Sequence, residues 1–319
     1  MPEKMEVHRI MNAPSHCAVV SEDRRTRLLN LETHLKDSIR GQDPALSRIA
    51  SVLRRGELGL GTKTRPKGSL LLLGPTGVGK TETVVAFTRY LEDDDENDDR
   101  LFRFDMSEYQ TQETLGLLLG ASSNESGMLG RVVEQSAHGT LLFDEIEKAH
   151  PRIMDIFLQI LDAARVTVAD GTTLDLSGFY VVFTSNIGSA ELMDWQHSAF
   201  ATMERQVLTS ALQWLRPELY ARITEKLVFQ RLDYDTQVEI ARLMLERHLF
   251  DLAAQGHTLS VTPEVLPFLV RKGFHPKLGA RPLRDCIEKL IGDAVTMRLL
   301  ENGQCGGALG LSGGELVVK

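Results

Sequence analysis

Residues 70–83 read LLLLGPTGVGKTET, an apolar run followed by a glycine-rich turn and then by a lysine and a threonine. Gly74, Gly79, Lys80 and Thr81 match the spacing G-x-x-x-x-G-K-[ST]. Glycines let backbone N–H groups turn around a phosphate, and the helix that follows presents the positive end of its dipole to the same anion. Lys80 would reach the β- and γ-phosphates, and Thr81 would offer its hydroxyl to Mg²⁺.

The alternative, a chance glycine turn, fits poorly with a buried strand directly before the turn and helical sequence directly after it. The predicted nucleotide-binding residues of this segment are Gly74, Pro75, Thr76, Gly77, Val78, Gly79, Lys80, Thr81 and Glu82.

A second segment, TLLFDEIEKAH at 140–150, places two carboxylates at the end of an apolar run. Asp144 would hold Mg²⁺ through its water shell, and Glu145 would polarise the attacking water. An apolar run that ends in Asp-Glu is common and is weak evidence for a metal site by itself. Here it follows the glycine-rich turn by about sixty residues, and together the two segments are strong evidence. Glu145 as a plain surface carboxylate is the alternative. His150 could also enter the site, although a histidine on a helix surface is the simpler interpretation.

These residues need a sheet to hold them. Short apolar runs separated by helical sequence lie at 70–73, 101–104, 141–143, 180–183 and 227–229. Runs without alternation are typical of strands buried on both faces, and alternation of strands with helices indicates a parallel α/β sheet covered on both sides. Helices are predicted at 21–40, with Leu28, Leu29, Leu31 and Leu35 on roughly one face, and at 44–58.

After about residue 232 the sequence becomes mainly helical, and its glycine-rich end indicates a terminal hairpin. We predict three parts: a flexible lead-in at 1–20, a large α/β domain at 21–232 and a smaller helical domain at 233–319.

Composition narrows the class of protein. The chain has 319 residues, 42% hydrophobic and 25% charged, as in ordinary globular proteins. No apolar run reaches 18 residues, and the amino terminus has no apolar signal core, so neither a membrane span nor a secretory leader is expected. Three scattered cysteines, Cys17, Cys286 and Cys305, indicate neither a disulfide framework nor a metal cluster. We expect a cytoplasmic protein.

Much of the net charge of −8 lies in the acidic run 92–99, which is typical of a solvated loop.

Six segments occur in a fixed order: GPTGVGKTE, FDMSEY, DEIEKAHP, FTSNIGS, LRPELYARI and GARPLR. Together they closely resemble the carboxy-terminal ATPase module of the Clp family of AAA+ proteins, from near Cys17 to the end of the chain. The resemblance implies a five-stranded parallel P-loop core sandwiched by helices, a helical lid domain, ATP and Mg²⁺ as cofactors, and a homo-oligomeric ring, a hexamer in the family.

The resemblance also implies roles for further residues. Asn186 matches the sensor amide that orients the lytic water, and Arg222 matches the arginine finger that enters the neighbouring subunit's site. Arg281 matches the second sensor, which contacts the nucleotide of its own subunit. Guanidinium groups suit the charge that accumulates on a transferring phosphoryl group. The alternative for both arginines is an ordinary surface position.

Near the base, Ile39 matches one of two apolar residues that the family places against adenine. The second position is Arg40, which can stack on a base but leaves base selectivity open. Thr224 replaces an acidic residue two places after the finger, and we expect it to affect the orientation of Arg222.

One family element is missing. The stretch LLGASSNESGMLGRVVEQ at 118–135 corresponds to the channel loop that carries a gripping aromatic in unfolding relatives, but it is shorter and has no aromatic residue. Met128 is the bulky apolar candidate near its tip, and we expect it to pack locally. The second channel segment keeps Arg165, Gly171 and Asp175. No peptidase-docking tripeptide, first ATPase module or coiled-coil insertion is seen, and the chain is either a single-ring protein or a piece of a longer one.

Three functions are compared. The leading hypothesis is a Mg·ATP-dependent ring ATPase that remodels an unidentified protein partner or assembly without the usual aromatic grip. The alternative is a nucleotide-gated scaffold or switch within a larger complex. A nucleic-acid motor is the weakest, because it needs a basic, preferably aromatic-lined channel, and the pI is near 5.7.

Overall fold

The computed structural model describes residues 21–92, 99–122, 127–189, 192, 199–275, 278–303 and 306–319. The predicted lead-in at 1–20, most of the acidic run, Cys17, Cys305 and the tip of the shortened loop at 123–126 lie outside these residues. Within the described part of the chain, no helix combines the length and apolar character that crossing a membrane requires.

The described residues form ten strands: β1 Gly68–Leu73, β2 Leu101–Asp105, β3 Gly139–Asp144, β4 Arg165–Thr167, β5 Thr173–Asp175, β6 Phe179–Ser185, β7 Glu225–Val228, β8 Leu259–Val261, β9 Gly307–Ser312 and β10 Glu315–Val318. Five of them make one parallel sheet in the order β2-β3-β6-β1-β7. Each of the five apolar runs predicted as strands overlaps a strand of this sheet, although β7 ends at Val228, one residue before the end of the run 227–229. Every residue of β1, β3 and β6 is buried, which confirms the two-sided cover expected from runs without alternation.

The described residues also form eleven α-helices: α1 Glu22–Ser38, α2 Asp43–Glu57, α3 Lys80–Glu92, α4 Leu115–Leu119, α5 Gly127–Gln135, α6 Pro151–Ala163, α7 Phe200–Trp214, α8 Pro217–Arg222, α9 Tyr234–Ala254, α10 Val265–Gly273 and α11 Arg281–Asn302. The first begins where expected, because the Ser21 hydroxyl accepts a hydrogen bond from the Arg24 backbone N–H at 3.4 Å.

The predicted face of α1 is wrong at one position. Leu28, Leu31 and Leu35 are buried, whereas Leu29 is 64% exposed. Successive residues of a helix are about 100° apart, so Leu28, Leu31 and Leu35 already fill the face that packs on helices α2 and α3. Leu29 falls outside that stripe.

Two apolar cores cover the two faces of the large sheet. Alternate residues of β1 point to opposite sides: Leu71 and Leu73 join one core, and Leu70 and Leu72 join the other. The first core contains three packed rings at 4.7–5.5 Å between centroids, from β3, α6 and β6: Phe143, Phe157 and Phe183. Burial from both sides holds the strands rigidly, which fixes the loops at their carboxyl ends.

A third core lies in the carboxy-terminal part. Side chains of α9, α10 and α11 pack with β9 and β10 around Leu269, Ile287 and Ile291. The terminal hairpin is present as β9 and β10, which pair antiparallel with Leu311 opposite Leu316. Strand β8 adds to β9 in parallel and makes a three-stranded sheet that the sequence analysis did not predict. The small domain is therefore helical with one short sheet.

Candidate functional site

The glycine-rich turn between β1 and α3 lies at the carboxyl end of the central strand. Gly74, Gly77 and Gly79 have φ of +139°, +73° and +102°, in the region that favours glycine. A Cβ on Gly74 would lie 2.6 Å from the Phe229 carbonyl oxygen, and one on Gly77 would lie 2.0 Å from that of Leu278. The turn is thus compressed between the edge of the sheet and the small domain, which only glycine permits.

Lys80 is the first residue of α3 and is 8% exposed. Its Nζ donates hydrogen bonds to the carbonyl oxygens of Gly74 and Pro75, the latter at 2.8 Å, and to Oδ1 of Asn186 at 3.0 Å. Burial lowers the pKa of Lys80 from 10.5 to about 8, although the carboxylates of Glu147, Asp144 and Glu145 act in the opposite direction. The lysine is therefore a desolvated cation placed inside the turn.

Asp144 ends β3 and is buried. Its Oδ1 accepts a hydrogen bond from the Thr184 hydroxyl on the neighbouring strand β6, and its Oδ2 accepts one from Arg103 on β2. Strands on both sides of β3 thus orient this carboxylate. Parallel strands bring their carboxyl ends to one edge of the sheet, which explains why residues forty positions apart meet here.

Glu145 has a left-handed backbone, with φ of +57° and ψ of +53°. Such a conformation is uncommon for a residue with a side chain and is frequent at functional sites. Its N–H donates to the Thr184 hydroxyl at 3.1 Å, and its Oε1 accepts from Nδ2 of Asn186 at 3.0 Å. Lys148 pairs with the other carboxylate oxygen. The backbone turn and these contacts aim the carboxylate at the glycine-rich turn.

Asn186 joins the two halves of the site. Its Oδ1 accepts from Lys80 and, at 3.4 Å, from the Thr76 hydroxyl, while its Nδ2 donates to Glu145. The amide orientation matches the chemistry, since the oxygen faces donors and the NH₂ faces a carboxylate. The Asn186 backbone N–H donates to Oε1 of Glu147 at 3.0 Å. One amide therefore links the buried cation to the predicted water-activating carboxylate.

Sequence reasoning missed several positioning residues: Gln42, Arg103, Glu147 and Thr184. Gln42 is 1% exposed, and its amide bonds the Val78 carbonyl oxygen at 3.2 Å and both the N–H and the carbonyl oxygen of Gln230. No local pattern signals this tie, because its partners lie 36 and 188 residues away. Glu147 stood inside the DEIEKAHP segment, but only the fold shows that it faces Asn186.

The expected base-binding residues lie beside the turn. Ile39 is 6% exposed, and its Cγ2 lies 3.3 Å from the position that a Cβ on Gly79 would take. Arg40 donates to the Lys36 carbonyl oxygen at 2.6 Å, and its Nε lies 3.8 Å from a Glu239 carboxylate oxygen on α9. Arg40 therefore touches the small domain, and base stacking by its guanidinium stays a prediction.

The start of α11 is in direct contact with the glycine-rich turn. The Ala280 N–H donates to the Gly77 carbonyl oxygen at 3.0 Å. Arg281, which is exposed and is the first residue of α11, directly follows this contact with the turn. Glu82, two residues after Lys80, lies 3.9 Å from Arg284, and both side chains are more than half exposed. Thr81 is the second residue of α3 and is partly exposed.

Arg222 is the one predicted catalytic residue that is not joined to this cluster. It ends α8, is exposed, and pairs with Asp162 on α6. Thr224 does not contact it: the Thr224 hydroxyl lies 3.0 Å from the Ser69 hydroxyl on β1. Thr224 is thus bonded to the sheet, and Asp162 is the carboxylate that pairs with Arg222; the effect of the Thr224 replacement on the orientation of Arg222 stays a prediction.

Other predicted features lie outside the cluster. His150 caps α6 by accepting from the Arg152 N–H at 3.2 Å, so it is a helix-end residue. Met128 is 41% exposed, so local packing covers only part of it. Arg165 and Asp175 pair across the β4–β5 hairpin, and the Ala169 N–H ties this hairpin to Leu119 at 2.9 Å.

The five-stranded parallel sheet, the glycine-rich turn with its buried lysine, the acidic pair at the carboxyl end of β3 and the attached helical domain define a P-loop domain of the AAA+ class. Comparison with known families gives the narrower result. A family model described as "AAA domain (Cdc48 subfamily)" matches residues 65–226, and one described as the "C-terminal, D2-small domain, of ClpB protein" matches 232–307. The chain belongs to the Clp branch of this AAA family.

Similar proteins agree with this assignment. Chaperone protein ClpB 1 of Nostoc sp. is 36% identical over 288 residues, covering 88% of this chain and 32% of its own length. ClpB of Meiothermus ruber is 37% identical and covers 91% of this chain and 34% of its own length. Heat shock protein 100 of Trypanosoma brucei brucei is 37% identical, with shares of 88% and 33%. The chain thus spans about a third of the length of these relatives.

A solved structure has the same fold. A cryo-EM reconstruction titled as the closed state of Hsp104 with ATPγS and FITC casein superposes with a TM-score of 0.84 at 28% identity, over 94% of this chain and 53% of that one. The predicted fold class is confirmed.

Proposed function

We propose that this chain binds Mg·ATP in the turn at 74–82, hydrolyses it, and acts as a ring of identical subunits, six by analogy with the family, that remodels a protein partner. The observation that carries the proposal is the Asn186 amide between Lys80 and Glu145. It places the cation for the phosphates and the carboxylate for the attacking water in one hydrogen-bonded group. Such preorganisation is what phosphoryl transfer needs from a protein.

ATP and Mg²⁺ fit the residues present. The glycine-rich turn precedes the amino terminus of α3, and Lys80 supplies ammonium donors at its base. The Thr81 hydroxyl and the Asp144 carboxylate are hard oxygen ligands of the kind that Mg²⁺ takes, with water completing its shell. When bound, Mg²⁺ would neutralise charge on the phosphate oxygens. Glu145 would then accept a proton from, or orient, the attacking water.

Two arginines complete the proposed site. Arg281 follows directly after Ala280, which is bonded to Gly77, and this supports a contact with the nucleotide of the same subunit. Arg222 is exposed and lies outside the cluster, which supports a role in a neighbouring copy. A heterologous contact of this type produces a closed ring when its rotation closes, and hydrolysis then depends on assembly.

A protein is the partner that the comparisons favour. The relatives are named chaperones, and the solved structure's title places Hsp104 with casein, a statement about that protein. The segment at 118–135, which contains α5, has no aromatic residue, so we propose remodelling without an aromatic grip. That same observation supports the second candidate, a nucleotide-gated scaffold that does not unfold its partner. A cytoplasmic location is part of the proposal.

Glu145→Gln tests the enzymatic step. The variant should retain ATP while phosphate release falls by about 10²–10⁴, because an amide cannot take the proton of the attacking water. Glu246→Gln, an identical exchange at an exposed position of α9, is the matched control and should keep full turnover. Native mass measurements with ATP should show a larger ring population for Glu145→Gln. Unchanged phosphate release would refute the assignment of Glu145.

A tagged, folded fluorescent protein separates the two candidate functions. ATP-dependent loss of its fluorescence supports the remodelling motor. Nucleotide-dependent capture of a partner with fluorescence intact supports the scaffold. Glu145→Gln serves in both arms, because a motor stops with this variant whereas a scaffold stays locked in its ATP-bound state.

A further inference from the structure

Two ion pairs attach α8, which ends in Arg222, and the residue just before it to α6. Arg216 pairs with Asp155, and Arg222 pairs with Asp162. Asp155 and Asp162 are seven residues apart, which places them two turns apart on one face of α6. The two pairs therefore lie one behind the other along the contact between the helices.

The two arginines use their donors differently. Arg216 bonds twice, through Nη1 to Asp155 and through Nη2 to the Pro151 carbonyl oxygen at 3.2 Å. Arg222 meets an acceptor through Nη1 alone within the described part of the chain. A guanidinium has five N–H donors in a rigid plane, so a contact through one nitrogen restrains the position of the group and leaves the other nitrogens available. Arg216 resembles a structural anchor, and Arg222 a held but unsaturated cation.

Both members of the second pair are reachable from solvent. The side chains of Arg222 and Asp162 are 42% and 38% exposed. An isolated, exposed arginine would sample many rotamers. Each contact with a phosphate would then have to compensate for the side-chain entropy that is lost when one rotamer is selected. A carboxylate that keeps one rotamer populated lowers this entropic cost for an incoming anion.

We propose that Asp162 is a positioning residue: it holds the Arg222 guanidinium by one nitrogen so that the remaining donors meet the triphosphate bound by the adjacent copy. The inference rests on the proposed function, in which Arg222 acts in trans. Asp162 contacts no reacting atom, and its effect passes through Arg222 into a site that the next subunit builds.

Asp162→Ala is the first test, with ATP turnover measured on the assembled ring. kcat should fall about two- to five-fold, the range that exposed ion pairs span, while KM for ATP changes less than two-fold. Asp155→Ala is the matched control, because it removes the other carboxylate from the same face of α6, and it should keep kcat within about 1.5-fold. Asp162→Glu should recover most of the loss, since it restores the charge one methylene further out.

A double-mutant cycle tests whether the effect passes through Arg222. Arg222→Ala should lower turnover by about 10³ or more, as fingers of this kind do. Adding Asp162→Ala to Arg222→Ala should produce no further fall, because the arginine through which Asp162 acts is gone. A further fall in the double variant would show a separate structural role and overturn the proposal.

Mixed rings test the direction of the effect. Glu145→Gln subunits cannot turn over but carry an intact Asp162 and Arg222, so mixing them with Asp162→Ala subunits supplies some mutant sites with a well-held arginine. Turnover per Asp162→Ala subunit should rise toward that of wild-type subunits in an equal mixture with Glu145→Gln. No rise would mean that Asp162 acts on its own site, for example along α6, and would overturn the proposal.

The outcomes distinguish a failure of the proposed trans role of Arg222 from a failure of the positioning role of Asp162. If Arg222→Ala leaves turnover unchanged, the trans finger of the proposed function is refuted. If Arg222→Ala abolishes turnover but Asp162→Ala matches Asp155→Ala, only the positioning role of Asp162 is refuted.

Discussion

The buried ammonium of Lys80 predicts that ATP affinity falls steeply with pH above 8. In the nucleotide-free protein, burial lowers the pKa of Lys80 from 10.5 to about 8. A triphosphate beside the ammonium favours its charged form, so the pKa rises when the nucleotide binds. Between these two pKa values, binding must take up a proton, and affinity decreases as pH increases. Below about pH 8 the lysine is already charged, and affinity is flat with respect to this group.

The magnitude follows from the same value. Only the protonated lysine binds phosphate well, so the apparent Kd is multiplied by about 1 + 10^(pH−8) for a pKa of about 8. Between pH 7 and pH 9 this factor rises about ten-fold, equivalent to about 1.4 kcal/mol. A lysine with its ordinary pKa of 10.5 would change the Kd by only a few per cent over this range. The phosphate groups contribute little over this range, because their second pKa is near 6 and they are mostly ionised at pH 7.

Titration calorimetry with Glu145→Gln protein measures this without hydrolysis. Experiments at pH 7, 8 and 9, each in two buffers of different ionisation enthalpy, give both the Kd and the number of protons taken up. The uptake should be at least about 0.5 proton at pH 8, because Glu145→Gln removes one of the carboxylates that raise the pKa of Lys80. The double variant Glu145→Gln/Lys80→Ala should bind ATP weakly, and its affinity should no longer depend on pH. A Kd that stays within two-fold from pH 7 to 9, with no proton uptake, would refute the argument from Lys80 burial.

Two further predictions concern the contacts around the turn. Gly77→Ala should weaken ATP binding at least about ten-fold by equilibrium titration, because its Cβ would lie 2.0 Å from the Leu278 carbonyl oxygen at φ +73°; Gly59→Ala, at φ +64° with nothing within 4 Å, costs some stability but should leave the Kd unchanged. Gln42→Ala should lower the free energy of unfolding by about 1–3 kcal/mol in urea, because it leaves three backbone groups unpaired, whereas the exposed Gln110→Ala should change it by less than about 0.5 kcal/mol.

The sequence alone was sufficient to predict the sheet and the glycine-rich turn. Both depend on local physics: runs such as LLLL can be buried only on two sides, and G-x-x-x-x-G-K-T is a backbone shape encoded by adjacent residues. The role assigned to Glu145 came from its place at the end of an apolar run, and the role of Asn186 came from the family resemblance. Both remain predictions that the geometry supports.

The tertiary structure determined everything that joins distant residues. The buried Gln42 amide donates to the Gln230 carbonyl oxygen, 188 residues away, and Thr184 orients Asp144 from the next strand. The Ala280 N–H connects the small domain to the Gly77 carbonyl oxygen. The face of Leu29 was wrongly predicted because a one-dimensional pattern does not show which side of a helix its neighbours cover. Nor does such a pattern show that the Thr224 hydroxyl meets Ser69.

Arg222 shows the same division between what the sequence determines and what the packing determines. Its residue type and its motif can be read along the chain, because a guanidinium suits phosphate wherever it stands. That Asp162 rather than Thr224 holds it, and by one nitrogen, depends on how α8 packs on α6. Contacts between side chains sixty residues apart follow from packing of the whole fold, and no local sequence pattern encodes them.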